Sequence, residues 1–201
     1  SVNRDCRAYG STLEQGSGLP SVVGDAGGPP VMSHTAFGDA VGGLNGCAAV
    51  LIALIHARLT GKGQFIDLAQ IECMMPFAAP WIVAHSIDGK PPVKYGNRHP
   101  DFVPHGCFPC AGTDNWIVAA VSSDAIWPKL AMLLGRADWA SDAKLATAAG
   151  RRAVEGDIEA AISAWTSMRD PEAAMAALQA AGVAAGVARL FVGLYGLLPI
   201  A

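Results

Sequence analysis

Apolar positions set the first expectation about this chain. From Asp39 to Thr60, Val41, Leu44, Ala48, Leu51, Leu54, Ile55 and Leu59 recur at the i, i+3, i+4 spacing of one helical face. Val50 and Ile52 are apolar on other faces, which predicts a helix buried on most sides. Gly61 predicts its end. Gln64 to Ala69 reads as a strand, and Ile71 to Ile87 as a second helix bent near Pro76 and Pro80. Ahead of these elements, residues 1–38 are rich in Gly, Pro and Ser. They read as loop with one short helix near Ser11 to Ser17, and Gly27-Gly28-Pro29-Pro30 reads as a turn or extended connector.

Pro91-Pro92 opens a different region. A long loop rich in Pro, His and Gly leads through the turn Thr113-Asp114-Asn115 into the strand Trp116 to Val121. Asp124 precedes a helix through Leu134, and a further helix covers about 154–168. Asp170-Pro171 pairs an N-cap with Pro at the first helical position, opening a helix that stops at Gly182. Val183 to Leu190 is expected as a final strand. Helices and strands alternate, so this region reads as a small α/β or α+β domain.

Composition narrows the function classes. The chain has 201 residues, enough for a substantial core. Its net charge of −3 and the absence of a basic tract argue against nucleic acid and against an anionic membrane surface. The stretch Val41 to Leu59 is the strongest membrane candidate. Asn45, His56 and Arg58 interrupt it, which favours a buried helix. Five cysteines are an odd number without a dense framework, so reduced thiols in a cytosol are expected. No signal peptide is recognisable at Ser1-Val2-Asn3.

The chemistry concentrates at Phe37-Gly38-Asp39-Ala40-Val41-Gly42-Gly43. One carboxylate, with glycines on both sides, stands where a helix begins. Glycine lets a ligand approach the backbone, and a helix start favours an ionised carboxylate. The residues alone leave two roles open, a nucleophile or a helix N-cap, for which Asp is among the best residues. Cys107-Phe108-Pro109-Cys110 is a C-x-x-C near His99 and His105. No second cysteine pair completes a zinc site, and the motif leads into a strand, so no metal is expected. Glu14 and Glu72 are isolated carboxylates, and Lys62 reads as a solvated turn lysine.

Gly38-Asp39, the small-residue helix, Arg58-x-Thr60-Gly61-x-Gly63-Gln64 and the following strand resemble the central signature of the class III CoA-transferases. This is the family of the formyl-CoA and L-carnitine CoA-transferases. The similarity extends upstream through Gly18-Leu19 and Gly27-Gly28-Pro29-Pro30. Downstream it includes Gly96-Asn97-Arg98-His99-Pro100 and Pro104-His105-Gly106. The resemblance implies an α/β fold in which residues 1–90 are the C-terminal part of a large Rossmann-like domain and residues 91–201 a smaller α/β domain. It also implies that the chain is a fragment lacking the N-terminal half of that large domain. The run Gly193 to Ala201 departs from the acidic, helical continuation of the family.

The same resemblance implies CoA transfer from an acyl-CoA to a carboxylic acid, with Asp39 as the catalytic nucleophile. Gly38, Gly96, Asn97, Arg98 and His99 are implied contacts to the CoA substrate, the last four on a loop that closes over the intermediate and excludes water. CoA and acyl-CoA are then substrates, with no permanently bound cofactor. A cytoplasmic, interlocked homodimer is implied for the full-length parent. Formyl-CoA transferases carry a longer glycine run in that loop, so this chain departs from them. The acyl-CoA racemases of the family pair the equivalent Asp with a His that would fall near Tyr9. None of the five histidines stands there, and His34 is misplaced for it, which favours transfer over racemisation. A third reading is an inactive truncated fragment that acts only by association through uncovered apolar faces.

Overall fold

The computed structural model describes residues 7–32 and 36–188. The chain separates into two compact units, Ser1–Gly96 and Asn97–Ala201.

In the first unit, α1 (Gly10–Gly16) is followed by a 3-10 turn at Leu19–Ser21, the long helix α2 (Phe37–Thr60), a second 3-10 turn at Glu72–Met74 and α3 (Met75–Asp88). Gly61, at φ 72°, ends α2 as expected. The core is small: Leu13, Val41 and Met74 are buried, with Leu19, Phe37, Ile71 and Cys73 packed around them. Two expectations fail in this unit. Only Gly38, Val41 and Gly42 of α2 are buried, whereas Leu44 is 73% and Leu59 81% exposed. An apolar surface is buried only where another layer covers it, and α1 and the Glu72–Met74 turn reach just the first turns of α2. The other failure is Gln64 to Ala69, which is assigned to no strand. A strand is defined by a ladder partner, and none lies alongside among the described residues.

The second unit holds β1 (His105–Pro109) and β2 (Trp116–Ala120). Then come α4 (Trp127–Leu133), α5 (Ala137–Ser141), α6 (Ala148–Arg152), α7 (Glu155–Thr166), α8 (Pro171–Ala180) and β3 (Ala184–Ala188). The strands form one antiparallel sheet in the order β1-β2-β3, with His105 opposite Ala120 and Ala120 opposite Ala184. Alternation sends Phe108, Ile117 and Ala119 into the core against Ile158, Ile162, Ala174 and Leu178, so α7 packs on β1 and α8 on β2 and β3. The opposite face, including Cys107, Val118 and Gly186, is more open. The start of α8 matches the expectation: the Asp170 carboxylate accepts from the amides of Glu172 and Ala173, and Pro171 opens the helix. β1 lies in the stretch read as loop, because its Pro, His and Gly content hides the alternation. The residues beyond Ala188, including Leu190 and the run Gly193 to Ala201, lie outside the described residues.

Arg151 is the unusual core member, at 1% exposure. Its guanidinium donates to the carbonyls of Val103 and Leu145 and to Asp124 Oδ1, and it lies 5.3 Å from the Trp127 ring. A buried charge persists only when its donors are matched in this way.

Candidate active site

Asp39 stands in the first turn of α2, not at its cap. The helix begins two residues earlier, at Phe37, and the cap position is Ala36, which has no side chain able to accept a hydrogen bond. The capping role that the sequence left open for Asp39 in its own helix is therefore excluded. The exposed carboxylate reaches α1 instead, where Gly10 N–H donates to Asp39 Oδ2 at 3.1 Å.

Two glycines permit that meeting. A Cβ on Gly10 would stand 2.6 Å from Asp39 Oδ2, and a Cβ on Gly38 would stand 2.7 Å from Leu13 Cβ and 2.8 Å from Gly10 O. Neither gap admits a side chain, so α1 and α2 approach through glycine on both sides. Tyr9, which immediately precedes Gly10, is exposed. Gly10 drew no attention in the sequence. Its adjacency to Tyr9, thirty residues before the aspartate, was the available signal.

Gly96 closes the first unit. It has φ 62°, and a Cβ there would stand 3.3 Å from Ala26 N. Lys94 Nζ donates to the carbonyls of Gly28 and Pro29, so the Gly-Gly-Pro-Pro turn and the approach to Gly96 are tied together.

Asn97, Arg98 and His99 open the second unit, in a stretch fastened to α6 and α7. Arg98 makes a two-pronged pair with Glu159, at 2.7 and 2.8 Å, and its Nε lies 3.4 Å from Glu155. The hydrogen bond to Glu159 chiefly holds the Arg98 guanidinium above its ordinary pKa, against an opposing effect of burial, and the Glu159 and Glu155 charges add to it. Arg152 donates to the carbonyls of His99 and Pro100 and to both oxygens of Glu155, which is 2% exposed. The sequence did not point to Arg152, Glu155 or Glu159, since a clamp between residues about fifty apart leaves no local pattern.

The two histidines of this stretch have opposite tautomers. His99 Nδ1 accepts from the amides of Asp101 and Phe102, so a neutral His99 carries its proton on Nε2. His105 Nδ1 lies 2.6 Å from the Asn97 carbonyl, so it must donate, which leaves Nε2 as the acceptor in the neutral ring. The rings are 5.5 Å apart. Burial raises the thiol pKa of Cys107 and of Cys110, with the Asp170 charge adding to the second. No group of three or more metal-ligating side chains occurs among the described residues. His34 lies outside them.

The CoA-transferase family III profile matches residues 2–193. This chain belongs to CoA-transferase family III. A probable CoA-transferase of Mycobacterium tuberculosis is 35% identical over 185 residues, covering 89% of this chain and 23% of that protein. The succinate–glutarate CoA-transferase of Agrobacterium fabrum is 30% identical over 182 residues, covering 90% of this chain and 45% of the relative. A solved CaiB/BaiF family protein from Brucella suis superposes with a TM-score of 0.85 at 28% identity, over 96% of this chain and 51% of that one. The family III chain thus spans about half or less of the length of these relatives, and its α/β fold is that of the family.

Proposed function

We propose that the protein carrying this chain moves CoA from an acyl-CoA to a carboxylic acid, with Asp39 as the nucleophile. One observation carries the reading. In a family III chain, the carboxylate of the Gly38-Asp39 signature is exposed at the start of α2 and accepts a hydrogen bond from a backbone donor, Gly10 N–H. A carboxylate of this kind attacks the thioester carbonyl. The carbon–sulfur bond breaks, CoA thiolate leaves and a mixed anhydride forms. The thiolate then attacks the aspartyl carbonyl, expelling the donor acid and leaving an aspartyl-CoA thioester. The acceptor carboxylate attacks that thioester, forming a second anhydride and releasing the thiolate once more. Attack of the thiolate on the acceptor acyl carbon completes the new acyl-CoA and restores Asp39.

Gly38 supports the reading by letting α1 approach closely enough to hold the carboxylate. Gly96, Asn97, Arg98 and His99 are proposed to form the loop that shields these hydrolysable intermediates from water. Arg98 supports this role through its pair with Glu159, as an anchor of the loop. Tyr9 supports transfer over racemisation, since the family's racemases use a His near that position. The first unit, with an uncovered α2 and a 64–69 segment that has no ladder partner among the described residues, fits part of a larger Rossmann-like domain.

Incubation of the complete protein with an acyl-CoA and hydroxylamine tests the nucleophile. The expected product is a hydroxamate at Asp39; label at another carboxylate, or none, overturns the assignment. Incorporation of solvent deuterium at the substrate α-carbon without CoA exchange would replace transfer with isomerisation.

A further inference from the structure

We propose that the backbone N–H of Gly10 is the oxyanion donor for the Asp39 carbonyl during transfer, an inference that rests on Asp39 being the nucleophile. Gly10 N–H points at Oδ2, so Oδ1 is the oxygen that attacks the thioester. In the anhydride, Oδ1 becomes the bridging atom and Oδ2 the carbonyl oxygen of the aspartyl group. Two later steps add a nucleophile at Asp39 Cγ, first the CoA thiolate and then the acceptor carboxylate. Each addition moves the carbonyl electron pair onto Oδ2. Collapse returns that pair and breaks the bond from Cγ to the bridging oxygen in the first step, or from Cγ to sulfur in the second. Oδ2 thus bears the negative charge at both tetrahedral stages without leaving Cγ.

A donor already aimed at the atom where charge develops lowers those barriers without reorganisation, and useful donors stand about 2.7–3.1 Å from the oxyanion. Gly10 N is 3.1 Å from Oδ2 of the resting carboxylate, so the donor is in place before the aspartyl carbonyl forms. Gly10 is the first residue of α1, where an amide has no partner within its own helix, so this donor is free for the carboxylate. Glycine is also required sterically. A Cβ at position 10 would lie 2.6 Å from Oδ2 and 3.0 Å from Asp39 Cγ, displacing the atoms that react.

The experiment replaces Gly10 with glycolic acid in the complete protein, exchanging the amide for an ester and deleting only the N–H. Single-turnover reactions with an acyl-CoA and an acceptor acid are followed by mass spectrometry of the quenched protein. The expected result is a fall in kcat of about 100-fold, a KM for acyl-CoA changed by less than about threefold, and accumulation of acyl-Asp39 at the expense of aspartyl-CoA.

An ester also weakens the Tyr9 carbonyl, which accepts from Leu13 N–H within α1. The control is therefore the hydroxy-acid analogue of Leu13, which breaks that helical bond and leaves Asp39 alone; it should turn over normally. Equal losses in both variants, or wild-type kcat in the Gly10 ester, overturn the role of Gly10. Gly10→Ala, which retains the amide but displaces the carboxylate, is expected to lose activity while remaining folded. A dead Asp39→Asn beside a fully active Gly10 ester sinks this inference alone, whereas a fully active Asp39→Asn sinks the nucleophile reading with it.

Discussion

Asp39 and Arg151 are both charged, and opposite measurements reveal their roles. Asp39 is exposed and accepts from the Gly10 amide, so Asp39→Asn keeps an oxygen for Gly10 N–H and should change stability by less than about 0.5 kcal/mol. Turnover should nevertheless vanish, because an amide does not form the anhydride. Thermal melting and CoA exchange measured on the same variant separate a structural from a chemical role; a silent Asp39→Asn would return Asp39 to structure alone. Arg151 is the reverse case. Arg151→Ala opens a cavity and strips two carbonyls and Asp124 of their donor, which should cost about 3 kcal/mol in a denaturant titration. Arg98→Ala removes a half-exposed pair and should cost about 1 kcal/mol or less. A larger loss at Arg98 than at Arg151 would invert this assignment of roles.

At the scale of elements, β1 and the residue just after it carry a pH signature. Burial raises both the Cys107 and Cys110 thiols. A group that holds its proton more tightly when folded stabilises the fold fully below its unfolded pKa. That contribution is lost as pH rises through the folded value. Unfolding midpoints should therefore decline on the alkaline side of about pH 8.5, and a Cys107→Ser, Cys110→Ser double variant should flatten the decline. Near neutral pH, iodoacetamide should modify the exposed Cys47 before Cys107 or Cys110, and equal rates would contradict the burial. The start of α8 offers a simpler check. Asp170→Ala removes both cap bonds and should cost about 1 kcal/mol, with Asp170→Asn nearly neutral.

At the scale of the molecule, the two units differ in how well they bury themselves. The second has a continuous core built around Trp127, Ile117, Ile158 and Leu178, while the buried residues of the first cluster around Leu13, Val41 and Met74. Residues 97–188 alone should therefore unfold cooperatively on heating, whereas residues 1–96 alone should not. In the first unit Leu44, Leu51, Ile52, Leu59, Phe65 and Ile87 are exposed, and α2 is also long and apolar enough by composition to cross a membrane. Apolar surface on this scale drives association. The 201-residue chain should elute from size exclusion as oligomers or with a chaperone, and a monodisperse, well-folded monomer would count against this.

Local signals were enough for the elements whose cause is local. The spacing from Val41 to Leu59 produces α2, Asp170-Pro171 starts α8, and alternation around Ile117 and Ala119 yields β2. The Gly38-Asp39 and Arg58-to-Gln64 motifs identified the family. Tertiary structure decided the features that depend on distant partners. β1 is a strand because β2 lies beside it, and 64–69 lacks a ladder because no described strand does. Arg98 is bound to α7 by a carboxylate sixty-one residues away. Asp39 is no cap of its own helix, because α2 starts two residues earlier and two glycines bring the Gly10 amide to its carboxylate. Periodicity, caps and turns are written within a few residues, whereas burial, strand pairing and the orientation of a carboxylate depend on which distant atoms share the space.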